Sequence, residues 1–338
     1  MVIIDAHSDY ALAVYREHLK GSKNVLKEQH LPFLRKGGVN IEVLTVGGDF
    51  ELFPEFDSQD YNTILKVIDS IKNEITENPD LFYLIKNSTD FENLQKDNRI
   101  GYIMALEGSN SIGGDLSLLH NYYNLGVRSI ALTHNKKNLL ADGCAVKSAK
   151  GLSNLGKDYV RELNNLNVNI DLSHISEPSF WDVLDITDKP LVATHSNAKS
   201  LCNHPRNLTD DQINAIAERN GVIGINFFSI FIDNIGRNAT VDRLIDHIDH
   251  IVEIVGIDHV GLGPDFLNYY IKDLRSLDEQ LDDPFGDTLD LGAIFEVIGD
   301  VTEFPNLIKS IKKRGYSDKE VGKIQGENFL RVFKEVLK

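Results

Sequence analysis

Seven side chains in this sequence could act on one substrate: His7, Asp9, Glu107, His134, His174, His195 and Asp265. Each follows a short apolar run. In Asp171-Leu172-Ser173-His174 and Ala193-Thr194-His195-Ser196 an imidazole closes each of two successive β-branched runs. One such histidine is an ordinary strand cap beside a helix start. Two in succession point to a metal, because neutral imidazole is a common ligand near pH 7. His7 and Asp9 lie two apart, so on an extended backbone they face one side and could hold an ion together; the other reading of Asp5–Asp9 is a turn. Glu107 follows the mostly apolar Ile100–Leu106, where a carboxylate is costly without a partner, either a metal or an arginine. Histidines with carboxylates suit Zn²⁺ or another borderline divalent ion. The set is large enough for two ions, with Glu107 as the natural bridge between metals about 3.5–4 Å apart. Such a pair makes hydroxide available near neutral pH, and the chemistry that follows is hydrolysis of an amide or ester. Arg206, in the turn Pro205-Arg206-Asn207, is either a surface charge or a bidentate binder of a substrate carboxylate.

The elements that must position these groups are short β-branched runs alternating with helices. The runs are Val2–Ile4, Asn40–Val46, Ile100–Leu106, Val127–Leu132, Val168–Leu172, Pro190–Thr194, Gly221–Phe227 and Val260–Gly263. Helical spacing is expected from Ser58 to Thr76 with Ser58 as cap, from Ser153 to Asn165, from Glu177 to Asp185, from about Asp210, over 240–256, and from Asp318 to Val336. His247 and His250 fall within one of these helices and read as surface or packing residues. Eight runs separated by helices predict an α/β fold, a (β/α)8 TIM barrel of the metal-dependent hydrolase type, forming one domain over residues 1–338. In such a barrel all the strand ends open on one mouth.

Composition is that of an ordinary globular protein. Of 338 residues, 51 are acidic and 35 basic, a net charge of −16, and no Lys/Arg cluster interrupts it. Nucleic acid and anionic membranes are therefore not expected partners. Two cysteines, Cys144 and Cys202, give no disulfide framework. The N-terminus lacks the features of a signal peptide, no apolar run reaches the ~18 residues of a membrane span, and the C-terminal segment reads as a charged amphipathic helix rather than a lipid-anchor tail. A soluble cytoplasmic protein is the expectation.

Taken with their surroundings, these residues resemble the membrane (renal) dipeptidase family of zinc peptidases, peptidase family M19, within the amidohydrolase-like barrels. The likeness covers nearly the whole chain. It rests on Ile4-Asp5-Ala6-His7-Ser8-Asp9, Leu106-Glu107-Gly108, Leu132-Thr133-His134-Asn135, Ile170-Asp171-Leu172-Ser173-His174, His195-Ser196-Asn197, His204-Pro205-Arg206-Asn207-Leu208 and Gly263-Pro264-Asp265-Phe266. The resemblance implies two Zn²⁺ per chain, one held by His7 and Asp9, the other by His174 and His195, with Glu107 bridging. It implies that His134 contacts the scissile carbonyl and stabilises its oxyanion, that Arg206 binds the terminal carboxylate, and that Asp265 shuttles a proton to the leaving amine. The activity implied is hydrolysis of dipeptides, including those with a C-terminal D-residue, by a hydroxide bridging the two zinc ions, in a homodimer. The sequence departs from the family pattern at Phe228, at Leu267-Asn268 and at Asn135-Lys136-Lys137-Asn138, none of them implied metal ligands.

Two other classes compete. One is a different amidohydrolase on the same barrel, a lactonase, deaminase or N-acyl amino acid hydrolase. The other is a binding protein that kept the fold; it would have lost a metal ligand, and none of the five is missing.

Overall fold

The computed structural model describes residues 1–95, 98–236, 238–267 and 297–338. Asn268, and any helix expected within 268–296, lie outside the described residues. Among the described residues nine strands form one sheet. They are β1 (Ile4–Ser8), β2 (Ile41–Gly48), β3 (Phe82–Leu84), β4 (Ile100–Glu107), β5 (Val127–Ala131), β6 (Asn169–Asp171), β7 (Val192–Ala193), β8 (Val222–Ile225) and β9 (Val260–Leu262). Eight follow the order β1-β2-β4-β5-β6-β7-β8-β9, every pair parallel. With β9 against β1, the sheet curls into the nearly closed (β/α)8 barrel expected from the spacing of the runs.

Two strand expectations change. β1 runs from Ile4 to Ser8 rather than Val2 to Ile4, because Asp5 and His7 continue the strand although they interrupt its apolar run. β3 was not anticipated; its three residues pair only with β4, outside the barrel order, and are too few to show a period.

Local chemistry sets the helix starts. Asp60, not Ser58, caps the helix Tyr61–Glu77, accepting from Thr63 N at 2.8 Å, while the Ser58 hydroxyl donates to the Phe50 carbonyl. Ser153 caps Asn154–Asn165, and Thr209 with Gln212 forms a capping box at Asp210–Glu218. The helix expected over Asp318–Val336 is broken into Asp318–Gly322, a π-helical turn Lys323–Glu327, and Asn328–Val336. The break sits where Gly326 meets β1: a Cβ there would stand 2.8 Å from Ile4 Cγ1 and 2.9 Å from Val2 O.

The last helix closes the amino-terminal end of the barrel. Phe329, Val332, Phe333 and Val336 pack with Ile4, Ile41, Val43, Val192 and Val222. The Phe329 ring fills the space a Gly261 Cβ would need, 2.5 Å from it. The carboxyl end of the strands is left for chemistry. Among the described residues no helix is long and apolar enough to cross a membrane.

Candidate metal centre and active site

The barrel converges all seven strand-end groups on one mouth. Glu107 Oε1, at the end of β4, lies 2.7 Å from His174 Nε2, 3.2 Å from His195 Nε2 and 3.5 Å from His7 Nε2. His7 Nε2 lies 3.8 Å from Asp9 Oδ1 and 3.7 Å from Asp265 Oδ1. Among the described residues, ligand-type atoms fall into three overlapping groups, each within 4.8 Å: His7, Glu107 and His195; Glu107, His134 and His174; His7, Asp9 and Asp265. The His134 ring also lies against that of His174, tilted by 31° with centroids 4.1 Å apart, and near Phe50 at 5.2 Å.

The hydrogen bonds around two of the imidazoles fix their tautomers. His174 Nδ1 lies 2.8 Å from Asn135 Oδ1, an amide oxygen that can only accept and that also accepts from Cys144 Sγ at 3.3 Å. His174 therefore carries its proton on Nδ1. His195 Nδ1 lies 2.8 Å from Thr194 Oγ1, whose own proton is given to Asp171 Oδ2. His195 likewise is protonated on Nδ1. Both Nε2 atoms then present lone pairs, and they face each other at 2.8 Å. Bare lone pairs at that distance, beside a carboxylate oxygen, fit a cation ligated by all three. His7 Nε2 and Asp9 Oδ1 are buried with no hydrogen-bond partner, which fits a second ligand pair.

Electrostatics agree. Burial pushes the imidazoles of His7 and His134 down to about 3, with the Arg206 charge adding to it, and it drives His174 and His195 well below their ordinary value. All four are neutral at pH 7, the form that ligates. Burial also raises Asp9 and Glu107 well above the usual carboxylate range, and the Asp265 charge raises both further. Buried carboxylates in mutual repulsion are relieved by a divalent cation among them.

Asp265 and His174 both adopt positive φ, 61° and 68°, uncommon for residues with a Cβ. Each turns the chain sharply off a strand end, and Asn226 Nδ2 holds Asp265 Oδ2 at 2.9 Å. Arg206 is 3% exposed, and its Nη2 donates to the His195 carbonyl at 3.0 Å, so it is a buried group at the mouth, not a surface charge. Its Nε has no partner. A buried guanidinium with an unmet donor suits an anion arriving with substrate. A cavity of about 380 Å³ runs from His174 and Arg206 outward.

The eight residues singled out in the sequence are thus neighbours. The supporting residues were not singled out: Asn135, Asp171 and Thr194, which set the imidazole tautomers, and Asn226. For Asn135, Asp171 and Thr194 the available signal was their position, one to three residues from a strand-end histidine; Asn226 had only its place directly after β8. His247 is a packing residue, accepting from Ala198 N at 3.1 Å and donating to the Ile232 carbonyl at 3.0 Å.

A family model described as membrane dipeptidase, peptidase family M19, matches residues 1–278 and 286–338. An uncharacterised dipeptidase of Schizosaccharomyces pombe is 34% identical over 357 residues, covering 98% of this chain and 80% of the relative. Dipeptidase AC, a metallo peptidase of family M19, superposes with a TM-score of 0.82 at 26% identity, covering 100% of this chain and 99% of that one. A metallo peptidase from Rhodobacter sphaeroides, liganded with a phosphinate mimic of the dipeptide L-Ala-D-Ala, superposes with a TM-score of 0.83 at 25% identity, covering 99% of each chain.

Proposed function

This chain belongs to the membrane dipeptidase family, peptidase family M19, and is a metal-dependent dipeptidase, and from that premise we propose that it cleaves dipeptides with two zinc ions held by His7, Asp9, Glu107, His174 and His195. Glu107 would serve both ions, with His7 and Asp9 holding one and His174 and His195 the other. The observation that carries this reading is the pair of deprotonated Nε2 atoms of His174 and His195, 2.8 Å apart beside Glu107 Oε1. When bound, zinc supplies Lewis acidity and makes hydroxide available near neutral pH.

The chain's own residues do the rest. Arg206 takes the substrate's terminal carboxylate, which fixes the scissile amide and limits the length of peptide that fits. His134, neutral by burial, donates a hydrogen bond to the oxyanion as the carbonyl becomes tetrahedral. Asp265, whose Oδ1 faces His7 Nε2 and whose Oδ2 is held by Asn226, accepts the proton of the attacking water and returns it to the leaving amine. A D-residue at the second position is accepted; the Rhodobacter relative liganded with an L-Ala-D-Ala mimic supports this. A single barrel domain over residues 1–338, assembled as a homodimer in the cytoplasm, completes the reading, and light scattering checks the dimer.

The test is metal analysis of the purified protein together with amino-acid release from a panel of L,L and L,D dipeptides. About two zinc per chain and cleavage abolished by chelator are expected. Two metals without cleavage would move the substrate to other amides or lactones. Less than one metal, with zinc supplied, would overturn the ligand assignment.

A further inference from the structure

The cavity beyond Arg206 has a charge opposite to that of the molecule. The chain carries a net charge of −16, yet three of the side chains lining this cavity are cationic, Arg206, Lys147 and Lys199, against one carboxylate, Glu177. Lys199 is half-buried, and its charge acts on both Cys144 and His204 alongside that of Arg206, so its ammonium shares their space. Lys147 lies on the loop between β5 and the helix Asn154–Asn165 that also carries Lys136, whose charge acts on His134. Among the described residues neither Lys147 nor Lys199 has an ion-pair partner, although acids outnumber bases 51 to 35 in the chain. Lys147 is exposed and Lys199 half-buried, and both line the one cavity; two unpaired cationic side chains there suit a second anion, distinct from the carboxylate at Arg206. The remaining wall includes Val146, Ile175 and Leu208, which accommodate a short aliphatic stem. At about 380 Å³ the cavity falls in the size range of small-ligand sites.

We propose that Lys147 and Lys199 make this cavity a specificity pocket for a carboxylate side chain on the substrate's C-terminal residue, so that the preferred substrates are dipeptides ending in aspartate or glutamate. The inference rests on the dipeptidase reading and on Arg206 taking the main-chain carboxylate. Recognition is by two flexible point charges rather than a rigid fork, so it tolerates either configuration at that residue and either acid length. The lysine-bearing loop also draws anionic substrate toward the mouth of an otherwise acidic protein.

The experiment compares kcat/KM of the zinc-loaded enzyme for Ala-Glu and its neutral isostere Ala-Gln, in both configurations of the second residue, with Ala-Ala as reference. We expect a preference for Ala-Glu of about tenfold, carried mainly by KM and shrinking as salt is raised. In the double variant K147Q/K199Q the Ala-Glu to Ala-Gln ratio should fall toward one, and in K147E/K199E it should invert. Because each ratio is internal to one preparation, partial loss of folding cancels. Cleavage of Ala-Ala and Ala-Gln with no preference for Ala-Glu would overturn the pocket and leave the dipeptidase reading standing. So would a preference that both double variants retain. Failure to cleave any of the three peptides would overturn both.

Discussion

His7 shows how burial sets the working state of a residue here. Its imidazole is held down to about 3, against 6.5 in an ordinary setting. As pH falls through 6.5 the unfolded chain takes a proton that the folded chain refuses until about 3. The unfolded state binds more protons in that window, so this residue's contribution to stability is lost as pH falls from about 6.5 toward 3. In metal-free protein, His7→Asn should therefore lessen the acid-side slope of unfolding free energy by up to about 1.4 kcal/mol per pH unit, as urea titrations from pH 6.5 to 4 would read it. Equal slopes would show that His7 is not held neutral. Glu107 is the other decisive residue, since its Oε1 faces three imidazoles. Glu107→Ala is expected to lose bound metal and peptide cleavage together, and full activity in that variant would remove the two-metal reading.

Among the elements, the turns off β7, β8 and β9 carry the tightest constraints. Gly263 follows β9 and lies against the chain that carries His195. A Cβ on Gly263 would stand 1.7 Å from the Thr194 carbonyl oxygen and 3.2 Å from His195 Cα, and one on Gly224 would stand 1.9 Å from the same oxygen. The backbones approach this closely so that Thr194 can reach Asp171 while His195 turns its Nε2 to the centre. Gly263→Ala should cost about 1–3 kcal/mol in stability and should weaken metal retention as well, because the shift falls on a ligand-bearing segment. Gly315→Ala is the control. Gly315 has φ of 123° and nothing within 4 Å of a Cβ, so alanine there costs backbone strain alone and leaves the metal content intact. Equal metal loss in both variants would argue against the Gly263 account.

At the scale of the whole molecule the barrel separates two tasks. The amino-terminal end is sealed by Phe329 and Phe333 on the last helix, and the carboxyl end holds buried carboxylates and imidazoles whose polar atoms face one another. The folded chain gathers the ligands and the unfolded chain scatters them, so metal binding contributes directly to stability. Dialysis against chelator should lower Tm by several degrees, and zinc at about 100 times its Kd should restore roughly 2.7 kcal/mol. Calorimetry with and without zinc checks this. A Tm indifferent to zinc would mean that the cluster does not hold it.

The sequence by itself determined the class of fold and the chemistry. Apolar runs that each end in a ligand-type residue specify parallel strands and name the groups at their ends, because strand and helix periods and the cost of a lone buried carboxylate are local properties. His7, Asp9, Glu107, His134, His174, His195 and Asp265 were all legible in this way, and the strands of the barrel with them. Tertiary structure alone decided the rest. The protons on His174 and His195 depend on Asn135, Asp171 and Thr194, the first two of them distant in sequence from the imidazole they serve. The break at Gly326 exists because β1 passes there, and β3 exists because β4 offers an edge. Arg206 was equally a surface charge or a ligand binder until its burial was known. The unpaired charges of Lys147 and Lys199 acquire meaning only once one cavity holds them both. These are facts about neighbours in space, set by strand closure, and no stretch of the chain encodes them locally.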